Sequence, residues 1–249
     1  MRALVVGESH SHAIAEAVAA DPVRYRGIKV RRLTRKRGFN QDSTPLEEVV
    51  RMAGELRPEV PLFLSMLGTY SNIFGLLSAG ADYDFALTPT DSSGADHRAA
   101  ALLPHRAVSG AFSEHIGNAH SLKKIRYATR SRVFLLSSPP PKQSNDYIMQ
   151  KFMLQQNRQY RGRHVSVGVT RPELRLKLWK LEVELLKELA EKEGMEFVPA
   201  PAEALNEDGF LARKYYAQDA THANPRYGSL VAEQICQLHR RVRKELASG

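Results

Sequence analysis

The 249-residue chain is 43% hydrophobic and 25% charged, which suits one sizeable α/β core or two small domains and excludes wholesale disorder. A mean hydropathy of −0.38 and the lack of an apolar run of about 18 residues argue against a membrane span, and MRALVVGESHSHAIAEAV has neither the long uncharged stretch nor the A-x-A site of a secretory signal. The 36 Lys and Arg exceed the 27 Asp and Glu by nine; with no C-x-x-C pair, RNP-like aromatic segment or Gly-rich basic tail, this excess is expected as a solvated, anion-attracting surface, not a dedicated nucleic-acid site.

Ala3–Val6 reads as a buried strand, followed by Gly7 and an alanine-rich helix over about 10–20. Ile28–Leu33 is a second strand. Thr44-Pro45-Leu46-Glu47 has the form of a capping box, with Thr44 as N-cap and Pro45 in the first turn. Leu62–Met66 is a third strand, followed by Gly68-Thr69-Tyr70-Ser71-Asn72. The stretch from about Asp91 to Arg130 is helical or irregular and is expected as an insertion beside the sheet. Val133–Leu136 is a fourth strand, left by the stiff segment Ser137-Ser138-Pro139-Pro140-Pro141.

Thr170-Arg171-Pro172-Glu173 opens the clearest helix, striped by Leu174, Leu178, Leu181, Leu185 and Leu189 and stopped by Gly194. Glu196–Val198 is a fifth strand. A last helix starts after Asn224-Pro225 and turns Leu230, Val231, Ile235, Leu238 and Val242 inward. Cys236 lies beside that stripe; a lone cysteine makes no internal disulfide and suits a reducing, cytoplasmic compartment. Strands alternating with helices predict an α/β chain with a mainly parallel five-stranded sheet, in one domain over residues 1–249.

Ligands of open parallel sheets bind beyond the carboxyl ends of the strands. Gly7-Glu8-Ser9-His10, Gly38 and the Gly68–Asn72 stretch follow the first three strands, and Asp219-Ala220-Thr221-His222 precedes the last helix. A serine at a strand–helix turn can present its hydroxyl beside its own N–H. An Asp and a His three residues apart can bond each other, leaving one imidazole nitrogen as a base. An asparagine amide can donate to an oxyanion. These are the parts of an acyl-transfer site.

With VVGESHS near one end and DATHANPRYG near the other, the chain resembles the SGNH hydrolases, or GDSL esterases and lipases. That family has G-D-S-x after its first strand, a Gly after the second, G-x-N-D after the third and D-x-x-H near the C-terminus. The chain departs from this pattern in two places. Glu8 replaces the family's Asp, and Asn72 follows Gly68 by four residues instead of two. The resemblance implies a three-layer, flavodoxin-like α/β/α fold and an ester hydrolase that uses no cofactor or metal. Its catalytic residues would be Ser9, Asp219 and His222, its oxyanion hole Ser9, Gly38 and Asn72, and its substrate a small-molecule or glycan ester.

Three alternatives compete. The same triad would serve an acyltransferase moving an acetyl group to a sugar or glycan. His10-Ser11-His12 could instead open a metal-dependent, amidohydrolase-like site, or the fold could be a non-catalytic binding protein. Bland roles also exist: Ser9 as cap of the first helix, Asn72 as cap of a helix over Ile73–Ser78, Gly38 as a turn residue, and Tyr70 as packing.

Overall fold

The computed structural model describes residues 1–33, 43–78, 83–88, 99, 101–159 and 168–248. Strands β1 (Ala3–Gly7), β2 (Ile28–Leu33), β3 (Ser43–Thr44), β4 (Leu62–Ser65), β8 (Val133–Leu136) and β10 (Glu196–Val198) form one sheet in the order β10-β8-β4-β1-β2-β3, parallel throughout. β3 is the sixth strand, at the edge; two residues are too few to leave a period in the sequence. The other short strands lie outside this sheet. β5 (Leu77–Ser78) pairs with β9 (Gly168–Val169), and β6 (Tyr83–Phe85) with β7 (Ala101–Leu103).

Both faces of the sheet are covered, which is why its central strands are apolar without interruption. Leu4, Val6, Leu62, Leu64, Val133 and Leu135 point to one face. They pack there with Val49 and Ala53 of α2 (Leu46–Gly54), Leu122 and Ile125 of α5 (His120–Ala128), and Leu186 and Leu189 of α7 (Pro172–Lys192). Ala3, Val5, Phe63, Phe134 and Val198 point to the other face, against Ile14 of α1 (Ser11–Ala20) and Val231, Ala232 and Ile235 of α8 (Pro225–Ser248). Phe63 and Phe134, partners in register, stack with centroids 4.8 Å apart. The architecture is the expected three-layer α/β/α. Within the stretch expected as an insertion, residues 91–98 lie outside the described ones, α4 (His105–Gly117) packs on α7, and α5 is buried with the main sheet.

α7 serves two cores. Leu174, Leu178 and Leu181 join Phe85, Val108 and Phe112 in a satellite cluster, while Leu186 and Leu189 belong to the main one. The helix closes as a Schellman motif on Gly194, at φ +63°: Met195 N–H donates to Ala190 O and Gly194 N–H to Glu191 O. Both expected capping boxes are corrected. Thr44 is drawn into the ladder opposite Leu33, so Pro45 is the N-cap of α2. Pro172 takes the first turn of α7, so its N-cap is Arg171 and not Thr170. Asn224 does cap α8, its Oδ1 accepting from the Arg226 and Tyr227 N–H groups at 3.0 and 3.4 Å. No helix among the described residues is long and apolar enough to cross a membrane.

The chain leaves β1 toward β2 on one side and returns as β4 on the other. The crevice at the carboxyl ends of β1 and β4 is therefore the topological switch point, where open α/β sheets bind ligands.

Candidate active site

The turn after β1 is tight because Gly7 makes it so. A Cβ on Gly7 would lie 2.6 Å from Ser11 Cβ and 2.7 Å from Ser65 O, closer than any side chain tolerates. Glu8 N–H continues the ladder to Ser65 O at 3.0 Å, and the buried Ser11 donates its hydroxyl to Glu8 O at 2.7 Å. Ser9 is left at the apex. The N-cap of α1 is His10, with no side-chain capping bond, so Ser9 does not cap the helix. Among the described residues neither the hydroxyl nor the N–H of Ser9 has a hydrogen-bond partner.

Asp219 organises the loop before α8. Its Oδ1 accepts from Thr221 N–H at 2.8 Å and His222 N–H at 2.7 Å, and its Oδ2 accepts from His222 Nδ1 at 2.8 Å. The loop is closed below by Ala217 N–H on His222 O and by the Tyr216–Ala223 bridge. Burial pushes the Asp219 carboxyl upward, but the bonds from the His222 ring and backbone and from Thr221 outweigh it and hold the group well below the usual carboxylate range. With Nδ1–H given to Asp219, the free lone pair of His222 is on Nε2.

The two ends of the chain meet through α1 and α8. Gly228 has no side chain because none would fit: its Cβ would stand 1.9 Å from Ala13 O. This close approach brings the start of α1 beside the loop before α8, and the His10 and His222 ring centroids are 5.2 Å apart. Both nitrogens of His10 are sealed from solvent with no partner. Burial, and then the charge His222 can carry, push the His10 imidazole down to about 3, against a smaller pull from Asp219. His10 is a neutral ring wedged between the Ser9 turn and His222.

The third block is placed differently from the sequence reading. Helix α3 (Tyr70–Gly75) starts two residues before Asn72, and its N-cap is Thr69. The capping is done from across the fold: the buried Glu182 carboxylate of α7 accepts from the Tyr70 and Ser71 N–H groups at 2.8 and 3.1 Å. Asn72 is therefore not a cap, and its amide has no hydrogen-bond partner among the described residues. Leu67 and Gly68, both at positive φ, turn the chain into this helix against Ser138. Tyr70 is a packing residue, stacked on His115 at 4.1 Å and edge-on to Phe112. Gly38 lies outside the described residues.

The H-x-H alternative finds no geometry. His12 is exposed and faces Glu16 at 3.4 Å, whereas both ring nitrogens of His10 are sealed from solvent. Among the described residues no three His, Cys, Asp or Glu side chains come together as metal ligands. Part of the basic excess gathers at the opposite end of the sheet, where Arg2, His239, Arg240, Arg243 and Lys244 line a cavity of about 490 Å³. Sequence reasoning missed one residue at the site, the fully buried Lys142, whose ammonium reaches Asp219 O at 2.5 Å. A lone lysine after three prolines carries no signal of its own.

No protein-family model matches the chain, and no curated protein matches it either. Solved structures similar to it include a putative acylhydrolase from Bacteroides fragilis, with a TM-score of 0.49 and 11% identity over 96% of this chain and 86% of that one. A GDSL-like lipase from Bacteroides thetaiotaomicron superposes with a TM-score of 0.45 and 12% identity over 96% and 87%. Est24, a carbohydrate acetylesterase from Sinorhizobium meliloti, does so with 0.42 and 14% over 96% and 100%. These likenesses are distant, and the functional reading rests on the chain's own residues.

Proposed function

We propose that the chain is a serine-dependent acyl-ester hydrolase with Ser9 as nucleophile, His222 as base and Asp219 as the group that orients His222. The Asp219–His222 arrangement carries this reading. One carboxylate takes the ring Nδ1–H and two backbone N–H groups, so the imidazole is fixed in tautomer and direction with Nε2 free. A loop aspartate with no such task would be expected to accept from the backbone alone. The His222 ring centroid lies 5.2 Å from that of His10, the residue after Ser9, which supports pairing this base with that serine.

In this mechanism Ser9 Oγ attacks the ester carbonyl while Nε2 of His222 takes its proton, and the carbonyl π electrons move onto oxygen. The Ser9 N–H, which has no partner of its own, and the Asn72 amide donate to that oxyanion. Collapse expels the alkoxide, which takes the proton from His222 and leaves as alcohol. Water then adds to the acyl-enzyme with His222 again as base, releasing the acid and restoring Ser9.

A fluorophosphonate probe tests the assignment. It should label Ser9 covalently, as read by peptide mapping, and Ser9→Ala should abolish both labelling and hydrolysis of nitrophenyl esters. Stability should stay within about 0.5 kcal/mol, as for a side chain without partners. Labelling at another residue, or ester hydrolysis that survives Ser9→Ala, would overturn the triad.

A further inference from the structure

Lys142 is the one fully buried ammonium placed at the site among the described residues, and the mechanism above gives it no task. Its side chain has no solvent-exposed surface. Nζ donates to Ala217 O at 2.9 Å and to Asp219 O at 2.5 Å, and lies 3.9 Å from Asp219 Oδ1. The rings of Tyr147 and Tyr216 flank it, each centroid 5.0 Å away, and Tyr147 also gives its hydroxyl to Ala217 O at 2.6 Å. The backbone beneath is pinned from a different helix. Arg175 of α7, itself buried, donates to Lys142 O and Gln143 O at 2.9 and 2.8 Å, and Gln143 N–H donates to Tyr216 Oη at 2.8 Å.

A lysine is a costly way to hold a loop. Burial, helped by the nearby charge of Lys151, pushes Lys142 down to about 8 against the upward pull of Asp219. A purely structural role would be met equally well by a neutral donor. The ammonium does two things here, of which only the second needs its charge. It satisfies two carbonyls of the six-residue loop at once, and it places a positive charge behind the carboxylate that orients His222.

We propose that Lys142 is a positioning residue for the Asp219–His222 pair, gripping the loop through the Ala217 and Asp219 carbonyls and offsetting the Asp219 charge. The proposal deepens the hydrolase reading and rests on it. The groups that face Lys142 are Asp219, Lys151, Tyr147 and Tyr216; only Asp219 is an anion at neutral pH, so removing Lys142 leaves that carboxylate less compensated.

Lys142→Met removes both the grip and the charge. In the full chain it should lower kcat by 10- to 100-fold with KM within about twofold, because substrate contacts are untouched while the base is misplaced. Lys142→Arg, which restores charge and donors, should recover part of kcat. If Lys142→Met does not fold, Tyr147→Phe, which loosens the same carbonyl, should give a several-fold loss in kcat alone. Wild-type kcat in a folded Lys142→Met would overturn the proposal, and so would a loss appearing equally in KM. The downfield proton resonance of His222 Nδ1–H should be sharp in the wild type and weakened or shifted in Lys142→Met. It reads the positioning without substrate, so it still tests Lys142 if the chain proves not to hydrolyse esters; an unchanged resonance would count against the role.

Discussion

His10 makes the acid stability of this protein calculable. Its imidazole sits at about 3 in the folded chain, against about 6.5 in an unfolded one. Between those values the unfolded chain binds a proton that the folded chain refuses. Stability from this group is therefore complete above about pH 6.5 and is lost as pH falls, with a limiting slope of about 1.4 kcal/mol per pH unit. From pH 6.5 to 4.5 that amounts to about 2–3 kcal/mol, a large part of a typical domain's stability. The Asp219 carboxyl, held low, also costs stability in acid, but only as pH falls below about 4, where unfolded carboxyls take up protons. Urea unfolding followed by circular dichroism at pH 7.5, 6.5, 5.5 and 4.5, on the wild type and His10→Leu, isolates the contribution. His239, also held below its ordinary value by burial and by nearby arginines, is present in both proteins and cancels. At pH 7.5 the variant should be as stable as the wild type or somewhat more so, since two buried nitrogens without partners are removed. At pH 4.5 it should be the more stable by about 2 kcal/mol or more. Parallel stability curves for the two proteins would refute a neutral His10 imidazole with both nitrogens sealed from water.

Two further outcomes follow from the same geometry. Asn72 is not a helix cap, so if it donates to the oxyanion Asn72→Ala should lower kcat by about 10²–10³-fold with little change in KM, and Asn72→Asp should be at least as damaging; steady-state kinetics that find Asn72→Asp fully active would remove Asn72 from the site. Gly228→Ala should destabilise the protein by about 3 kcal/mol in urea melts, because its Cβ would press into Ala13 O, and a neutral result would refute so close an approach of α1 and α8.

The layered fold was legible because its determinants are periodic. β1, β4 and β8 are uninterrupted apolar runs, and α7 carries leucines at helical spacing with a glycine where the left-handed residue falls. Asn224-Pro225 is a local signal too, and it opens α8 where expected. What was not legible depends on distant partners. β3 is a strand only because Leu33 lies beside Thr44. α3 starts at Tyr70 because Glu182, more than a hundred residues away, receives its first N–H groups, so a reading of local caps places that helix too late.

The site divides along the same line. Asp219 and His222 are three residues apart, and their bond could be foreseen from spacing alone. His10 was visible only as a possible metal ligand, because its role depends on a ring contact between opposite ends of the chain. Lys142 left no trace, since an ammonium on backbone carbonyls is recognised by position and not by pattern. The pieces that carry the proposed chemistry sit on short rigid turns, while the groups that hold them come from elsewhere. Tyr147 and Lys151 of α6 (Asn145–Gln159) reach Ala217 O and the Gln218 side chain, and Arg175 of α7 fixes the segment that carries Lys142. A loop clamped from two helices and a buried lysine keeps His222 in place before any substrate arrives. That preorganisation is what the proposed role of His222 as a base would require.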